Sequence, residues 1–250
     1  MILNNEYKKM NEKPTLVLIH GLFGSLSNLG MLARAFVNTH NILQVDVRNH
    51  GKSEHSPNMN YEYMAQDIIE TLDHFNIQNF ILIGHSMGGK IAMKLSQLAE
   101  HRLEKLIVLD MAPFAYSESH HTHIFEALFA VKNANIVNRS DAIAIMKNYI
   151  NEEMVIQFLL KSFHKGEWLF NVDSIYENYS NILSWDTIST KTSTLFIRGG
   201  NSPYISKDEH VLAIKKQFLY AEIQTIEHAG HWLHAEKSQE VIDEIRKFIN

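Results

Sequence analysis

The segment Gly84-His85-Ser86-Met87-Gly88 sets a serine between two glycines. An apolar run, Phe80-Ile81-Leu82-Ile83, comes before it, and a helical pattern from Lys90 to Leu95 follows. A strand, a G-x-S-x-G turn and a helix in that order push the serine hydroxyl out on a tight turn, where a substrate can reach it. Such a serine can accept an acyl group, provided that a base takes its proton. His231, in His228-Ala229-Gly230-His231-Trp232, is the expected base. It directly follows the last expected strand, and open α/β sheets gather their sites in loops at the carboxyl ends of strands. His228 and His234 rank behind it. Acyl transfer also needs two N–H groups aimed at the developing oxyanion. Met87, the residue after the serine, is expected to give one. The loop His20-Gly21-Leu22-Phe23-Gly24 is expected to give the other through the Leu22 N–H, with His20 bracing the loop. Phe23 and His85 are the expected substrate contacts.

These residues need elements to hold them. Thr15–Ile19, Asn41–Val45, Phe80–Ile83 and Lys105–Leu109 are short, continuously apolar runs that read as buried strands. Leu26–Phe36, Tyr61–Phe75 and the stretch after the elbow carry helical spacing between them. The alternation stops near Ala112 and resumes at Ser193–Arg198, with a helix over Lys207–Phe218, a strand over Ala221–Ile226 and a final helix over Glu236–Phe248. The intervening stretch shows helix-like segments and no strand. The expected architecture is a mostly parallel α/β sheet covered by helices on both faces, formed by 1–111 and 190–250, with a helical cap inserted over 112–189.

Composition narrows the function. The chain has 250 residues, 45% of them hydrophobic and 20% charged, with a net charge of −5. That acidic balance argues against a nucleic-acid partner, whose phosphates call for a basic surface. Cysteine is absent. Disulfides and thiolate zinc sites are therefore excluded, and a cytoplasmic location is expected. No apolar run approaches the roughly 18 residues of a membrane helix, and Met1–Pro14 shows no secretory h-region. No stable membrane insertion is expected.

The shared stretches His20–Ser25, Asp46–Gly51, Gly84–Lys90, Val155–Phe163, Gly199–Tyr204 and Gly230–Trp232 resemble the α/β-hydrolase superfamily, and within it the small bacterial carboxyl and acyl-CoA esterases. Many members carry the acid of their triad after the next-to-last strand, in a Gly-x-x-Asp loop. Here that loop reads Gly199-Gly200-Asn201-Ser202-Pro203, with serine where the carboxylate is expected. The other known position is the end of the strand after the elbow helix, where this chain has Asp110. The resemblance thus implies a triad of Ser86, Asp110 and His231, with Ser202 as an auxiliary donor to Asp110 or His231. It implies hydrolysis of small-molecule acyl esters, with acyl-CoA thioesters as a further class, and no metal or organic cofactor. Asp208 is the competing acid.

Other readings of the same residues carry less. Gly84-x4-Gly89-Lys90 approaches a phosphate-binding loop, but Ile91 stands where magnesium binding needs Ser or Thr. His120, His121 and His123 cluster, and His228, His231 and His234 recur every third residue, yet neither set comes with a thiolate or an HExxH pattern. The charged run Asp46–Ser53 reads as a polar turn held by an Asp–Arg contact, with His50 outside the chemistry. Phe125, Leu128, Phe129, Phe158, Leu159, Phe163, Trp168 and Phe170 read mostly as the insertion's own core, with some facing the pocket. The same scaffold could host a menaquinone-pathway lyase or a C–C bond hydrolase. A non-catalytic binding protein is the remaining alternative, but no triad member is missing.

Overall fold

The computed structural model describes residues 1–10, 12–117 and 121–250. In chain order the first elements are β1 (Asn5–Lys8), β2 (Thr15–Ile19), α1 (Gly30–Phe36), β3 (Asn41–Val45), α2 (Tyr61–His74), β4 (Phe80–His85), α3 (Met87–Leu98) and β5 (Leu103–Leu109). The chain then leaves the sheet through α4 (Thr122–Asn133), α5 (Arg139–Met146), α6 (Glu153–Leu160), β6 (Phe163–His164), β7 (Glu167–Trp168), α7 (Val172–Glu177) and α8 (Tyr179–Leu183). It returns with β8 (Ser193–Gly199), α9 (Asp208–Gln217), β9 (Ala221–Ile226), α10 (Leu233–Glu236) and α11 (Ser238–Ile249).

Among the described residues the main sheet has seven strands in the order β1-β3-β2-β4-β5-β8-β9. Only β1 runs antiparallel to its neighbour. The central strands alternate their side chains between two cores. From β2, Leu16 and Leu18 join Leu32, Phe36, Val241 and Ile245 on the face covered by α1 and α11. Val17 and Ile19 join Met64, Ile68, Ile91 and Leu95 on the face covered by α2 and α3. That second core continues without a break into the inserted helices through residues such as Phe125, Leu128, Leu159 and Ile175.

Four local expectations need correction. The strand β1 lies in a stretch from which no element was expected; its residues alternate between half-buried and exposed along a sheet edge, so they carry no apolar run. The helix expected over Leu26–Phe36 opens as a 3-10 turn, Leu26–Leu29, before α1. The insertion is not purely helical: β6 and β7 form a two-residue antiparallel ladder around Gly166, whose φ is +91°. Finally, Arg48 pairs with Asp67 of α2 rather than with Asp46, through Nε at 2.6 Å and Nη2 at 2.9 Å. Asp46 instead accepts the backbone N–H groups of Leu26 and Lys52 and the amide of Asn4.

Candidate active site

Ser86 sits between β4 and α3 with φ 55° and ψ −121°. A non-glycine residue held there is strained, and such strain collects at functional sites. The flanking glycines are required by contact. A Cβ on Gly84 would lie 2.2 Å from the Gly88 carbonyl oxygen, and one on Gly88 would lie 2.2 Å from that of Ile19. The turn thus presses against β2 and leaves the Ser86 side chain facing a cavity. It also stands at the N-terminus of α3, where free N–H groups and the helix dipole favour negative charge.

The N–H groups of Leu22 and Met87 carry no hydrogen bond to the described residues. Their loop is fixed from below by two buried histidines. His20 donates through Nδ1 to the Gly21 carbonyl at 2.8 Å and accepts the Val47 N–H at Nε2 at 3.0 Å. His50 donates through Nδ1 to the Arg48 carbonyl and accepts the Phe23 N–H at 3.1 Å. These bonds hold Phe23 at φ +61°, so the chain turns sharply after Leu22. Burial pushes the His50 pKa down to about 3, and the His20 pKa is lowered by the same desolvation. Both rings can therefore act as neutral braces.

Asp110 directly follows β5, has φ 54° and is fully buried. Its Oδ1 accepts the Gly199 N–H at 2.9 Å. Its Oδ2 accepts Nδ1–H of His231 at 2.7 Å and a short bond from the Ser202 hydroxyl. The loops that carry Ser202 and His231 touch closely, since a Cβ on Gly199 would meet the Gly230 carbonyl at 2.3 Å. Two further residues hold His231. His85 donates through Nε2 to the His231 carbonyl at 2.8 Å, and its ring lies 4.8 Å away. The Tyr204 ring stacks at 4.2 Å. His85 is buried among His231 and His234, and desolvation holds its pKa well below the imidazole range.

Ser86 stands where two cavities meet. The wider cleft is open to solvent and is lined by Gly21, Phe23, His85, His231, Trp232 and Phe158, among others. The narrower chamber runs along α3 past Met87 and Lys90 to Tyr61 and Tyr116. Leu22, Ser86 and His121 line both.

The structure therefore brings together Ser86, Asp110, His231, Ser202, Leu22, Met87, Phe23 and His85. It leaves Asp208 exposed at the start of α9 and His228 exposed in its loop. His234 packs edge-on to His85 at 4.3 Å and lines the wider cleft. His120 lies outside the described residues. Among the described residues no cluster of three or more His, Cys, Asp or Glu could hold a metal ion. Of the eight apolar residues singled out in the insertion, Phe158 and Leu159 line the cleft. Trp168 stacks on Phe170 at 5.3 Å within the insertion's own core.

Sequence reasoning missed three residues. His121 was grouped with polar loop histidines, but it bonds the Tyr179 hydroxyl at 2.5 Å and faces both cavities. Tyr204, three residues after the flagged Asn201, packs its ring against that of His231. Lys90 was considered only as part of a nucleotide loop; its place in an otherwise apolar helical run, Lys90-Ile91-Ala92-Met93, was the available signal.

Residues 14–134 match the family described as the α/β hydrolase fold. The chain is 50% identical over 243 residues to the esterase YbfF of Escherichia coli (strain K12), covering 96% of this chain and 94% of that protein. It is 35% identical over 249 residues to the sn-1-specific diacylglycerol lipase ABHD11 of Mus musculus, covering 94% and 81%. Among solved structures, a marine microorganism esterase superposes with a TM-score of 0.92 at 34% identity, over 99% of both chains. The chain belongs to the α/β-hydrolase family.

Proposed function

We propose that the chain is a serine esterase that cleaves carboxylic esters through an acyl-enzyme on Ser86, with residues 112–189 as a cap over the site. The observation that carries this reading is the 2.7 Å bond from His231 Nδ1 to the buried Asp110, on a histidine that shares a cleft with Ser86. With its proton fixed on Nδ1, the imidazole keeps Nε2 free as a base. Nε2 takes the Ser86 proton as Oγ attacks the ester carbonyl. The N–H groups of Leu22 and Met87 stabilise the oxyanion. His231 then returns the proton to the leaving oxygen, and the alcohol departs. Water, activated by the same nitrogen, attacks the acyl-enzyme and releases the acid.

The two cavities match the two halves of an ester. His231 must protonate the leaving oxygen, and it lines the wider cleft rather than the chamber. The alcohol half therefore leaves through the cleft, where Phe23, Phe158 and Trp232 give it an apolar wall, and the acyl half occupies the chamber. The cleft is open to solvent, so a bulky thiol such as coenzyme A can extend out of it, and acyl-CoA thioesters are a second substrate class under this reading. The names of the E. coli, mouse and marine relatives agree with ester hydrolysis. Incubation with a fluorophosphonate, followed by peptide mass mapping, tests the assignment. Label on Ser86, together with loss of turnover of nitrophenyl and CoA esters in Ser86→Ala, is expected. Label elsewhere, or activity that survives the substitution, would sink it.

A further inference from the structure

Lys90 lies in the first turn of α3, four residues after Ser86, and both residues line the narrow chamber. Lys90 is 1% exposed. Its Nζ donates to the carbonyls of Ser184 at 3.1 Å and Leu183 at 3.3 Å. The rings of Tyr116, Tyr61 and Trp185 stand around it at 5.0, 5.4 and 5.8 Å. An ammonium has three N–H donors, and two carbonyls leave one over. Among the described residues no carboxylate offsets the burial, which alone pushes the lysine pKa down to about 7. Arg48 shows the contrast: that buried cation is closed by a two-point contact to Asp67.

We infer that Lys90 is the recognition group for a carboxylate at the far end of the acyl half, which makes half-esters of dicarboxylic acids the preferred substrates. The inference rests on the proposed esterase reading for the direction of the ester. Within the chamber, Leu22, Met87, Met111 and Ile182 suit a short methylene spacer. The neighbouring phenols do not compete for the carboxylate, because Tyr61 donates to the Ile182 carbonyl and Tyr116 to that of Tyr204. An arriving carboxylate supplies the missing negative charge, takes the third N–H, and stabilises the protonated lysine.

The test compares the ethyl half-esters of succinate, glutarate and adipate with neutral esters in which an isopropyl group replaces the carboxylate. Hydrolysis is followed by proton release in a pH-stat. In the wild type at least one half-ester is expected to exceed its neutral counterpart in kcat/KM by about tenfold or more. In Lys90→Met that ratio is expected to invert. Equal rates for charged and neutral esters, or a preference for 3-acetoxypropanoate, which carries its carboxylate on the alcohol, would overturn the inference. A parallel binding measurement needs no turnover and no Lys90 variant. Ser86→Ala enzyme should bind the favoured half-ester at least about tenfold more tightly than its neutral counterpart, read by calorimetry. Equal binding of the two, or no binding of the half-ester, counts against Lys90. Failure of all esters to turn over, with that binding preference intact, counts against the esterase reading alone.

Discussion

Ser202 donates its hydroxyl hydrogen to Oδ2 of Asp110. The two residues follow neighbouring parallel strands, β8 and β5, and the bond ties the loop after one to the first residue beyond the other. It also fills the space that a carboxylate would take if the acid came from the later strand. The Asp110 carboxylate then accepts three hydrogen bonds: Gly199 N–H on one oxygen, Ser202 and His231 on the other.

Removing that hydroxyl gives the first prediction. Ser202→Ala leaves Asp110 with the Gly199 and His231 donors but loosens the carboxylate that aims the imidazole. A fall in kcat of about tenfold to a hundredfold is expected, the scale of one hydrogen bond to a charged group. Steady-state rates on a short acyl ester check it. Unchanged kcat at every pH would remove Ser202 from the machinery and leave it a turn residue.

Asp110→Asn tests the acid itself. Asparagine accepts a positive φ readily, so the backbone at 54° is preserved. Its amide, however, can offer an N–H to Nδ1 and hold the imidazole in the wrong tautomer. A loss of about 10⁴-fold in kcat is expected. The exposed Asp208→Asn should change kcat by less than about twofold. The reverse ranking would place the acid on the later strand.

The strands that position these groups were legible because they are buried on both faces and therefore read as largely apolar runs: Thr15–Ile19, Asn41–Val45 and Phe80–Ile83 recur as β2, β3 and the body of β4. β1 was not legible, because an edge strand with one exposed face and polar residues carries no such run. The elbow and the His231 loop could be read because glycine spacing is a steric requirement that leaves a trace in the sequence. The partner of Arg48 could not, since Asp46 and Asp67 are equally acidic and only the packing of α2 decides between them. Lys90 escaped for a related reason. Lysine on a helix normally lies along a solvated face, and its burial depends on Tyr61, Tyr116 and Trp185, which the fold brings together from three distant segments.

Gly88→Ala should break the elbow rather than tune it. The new methyl would meet backbone oxygens of Ile19 and His20 at 2.2 and 2.5 Å, and backbone in a central strand cannot swing aside. A loss of about 3 kcal/mol, or no folded protein at all, is expected. Gly30→Ala is the control, because its nearest neighbour is the mobile end of Arg34 at 3.4 Å; a change within about 1 kcal/mol is expected. Urea unfolding of the two variants compares them. A Gly88→Ala protein as stable as Gly30→Ala would show that the contact with β2 is not tight.

Acid should unfold the protein through its buried histidines. Burial pushes His50 and His234 down to about 3 and holds His85 well below its ordinary 6.5. In the unfolded chain the same rings titrate near 6.5. Between about 6.5 and 3 the unfolded state thus binds more protons, so stability falls as pH drops through that window and is fully present above it. Each such group contributes a slope of up to about 1.4 kcal/mol per pH unit. His234 offers a clean test, because its Nδ1 is buried without a hydrogen-bond partner and its ring meets His85 edge-on. Phenylalanine keeps that contact and removes both the unpaired nitrogen and the titration. His234→Phe should match or exceed the wild type in urea midpoint at pH 7.5 and lose less stability by pH 5. An acid slope identical to that of the wild type would mean that His234 takes up its proton in the folded state, with water reaching the cleft wall where it packs.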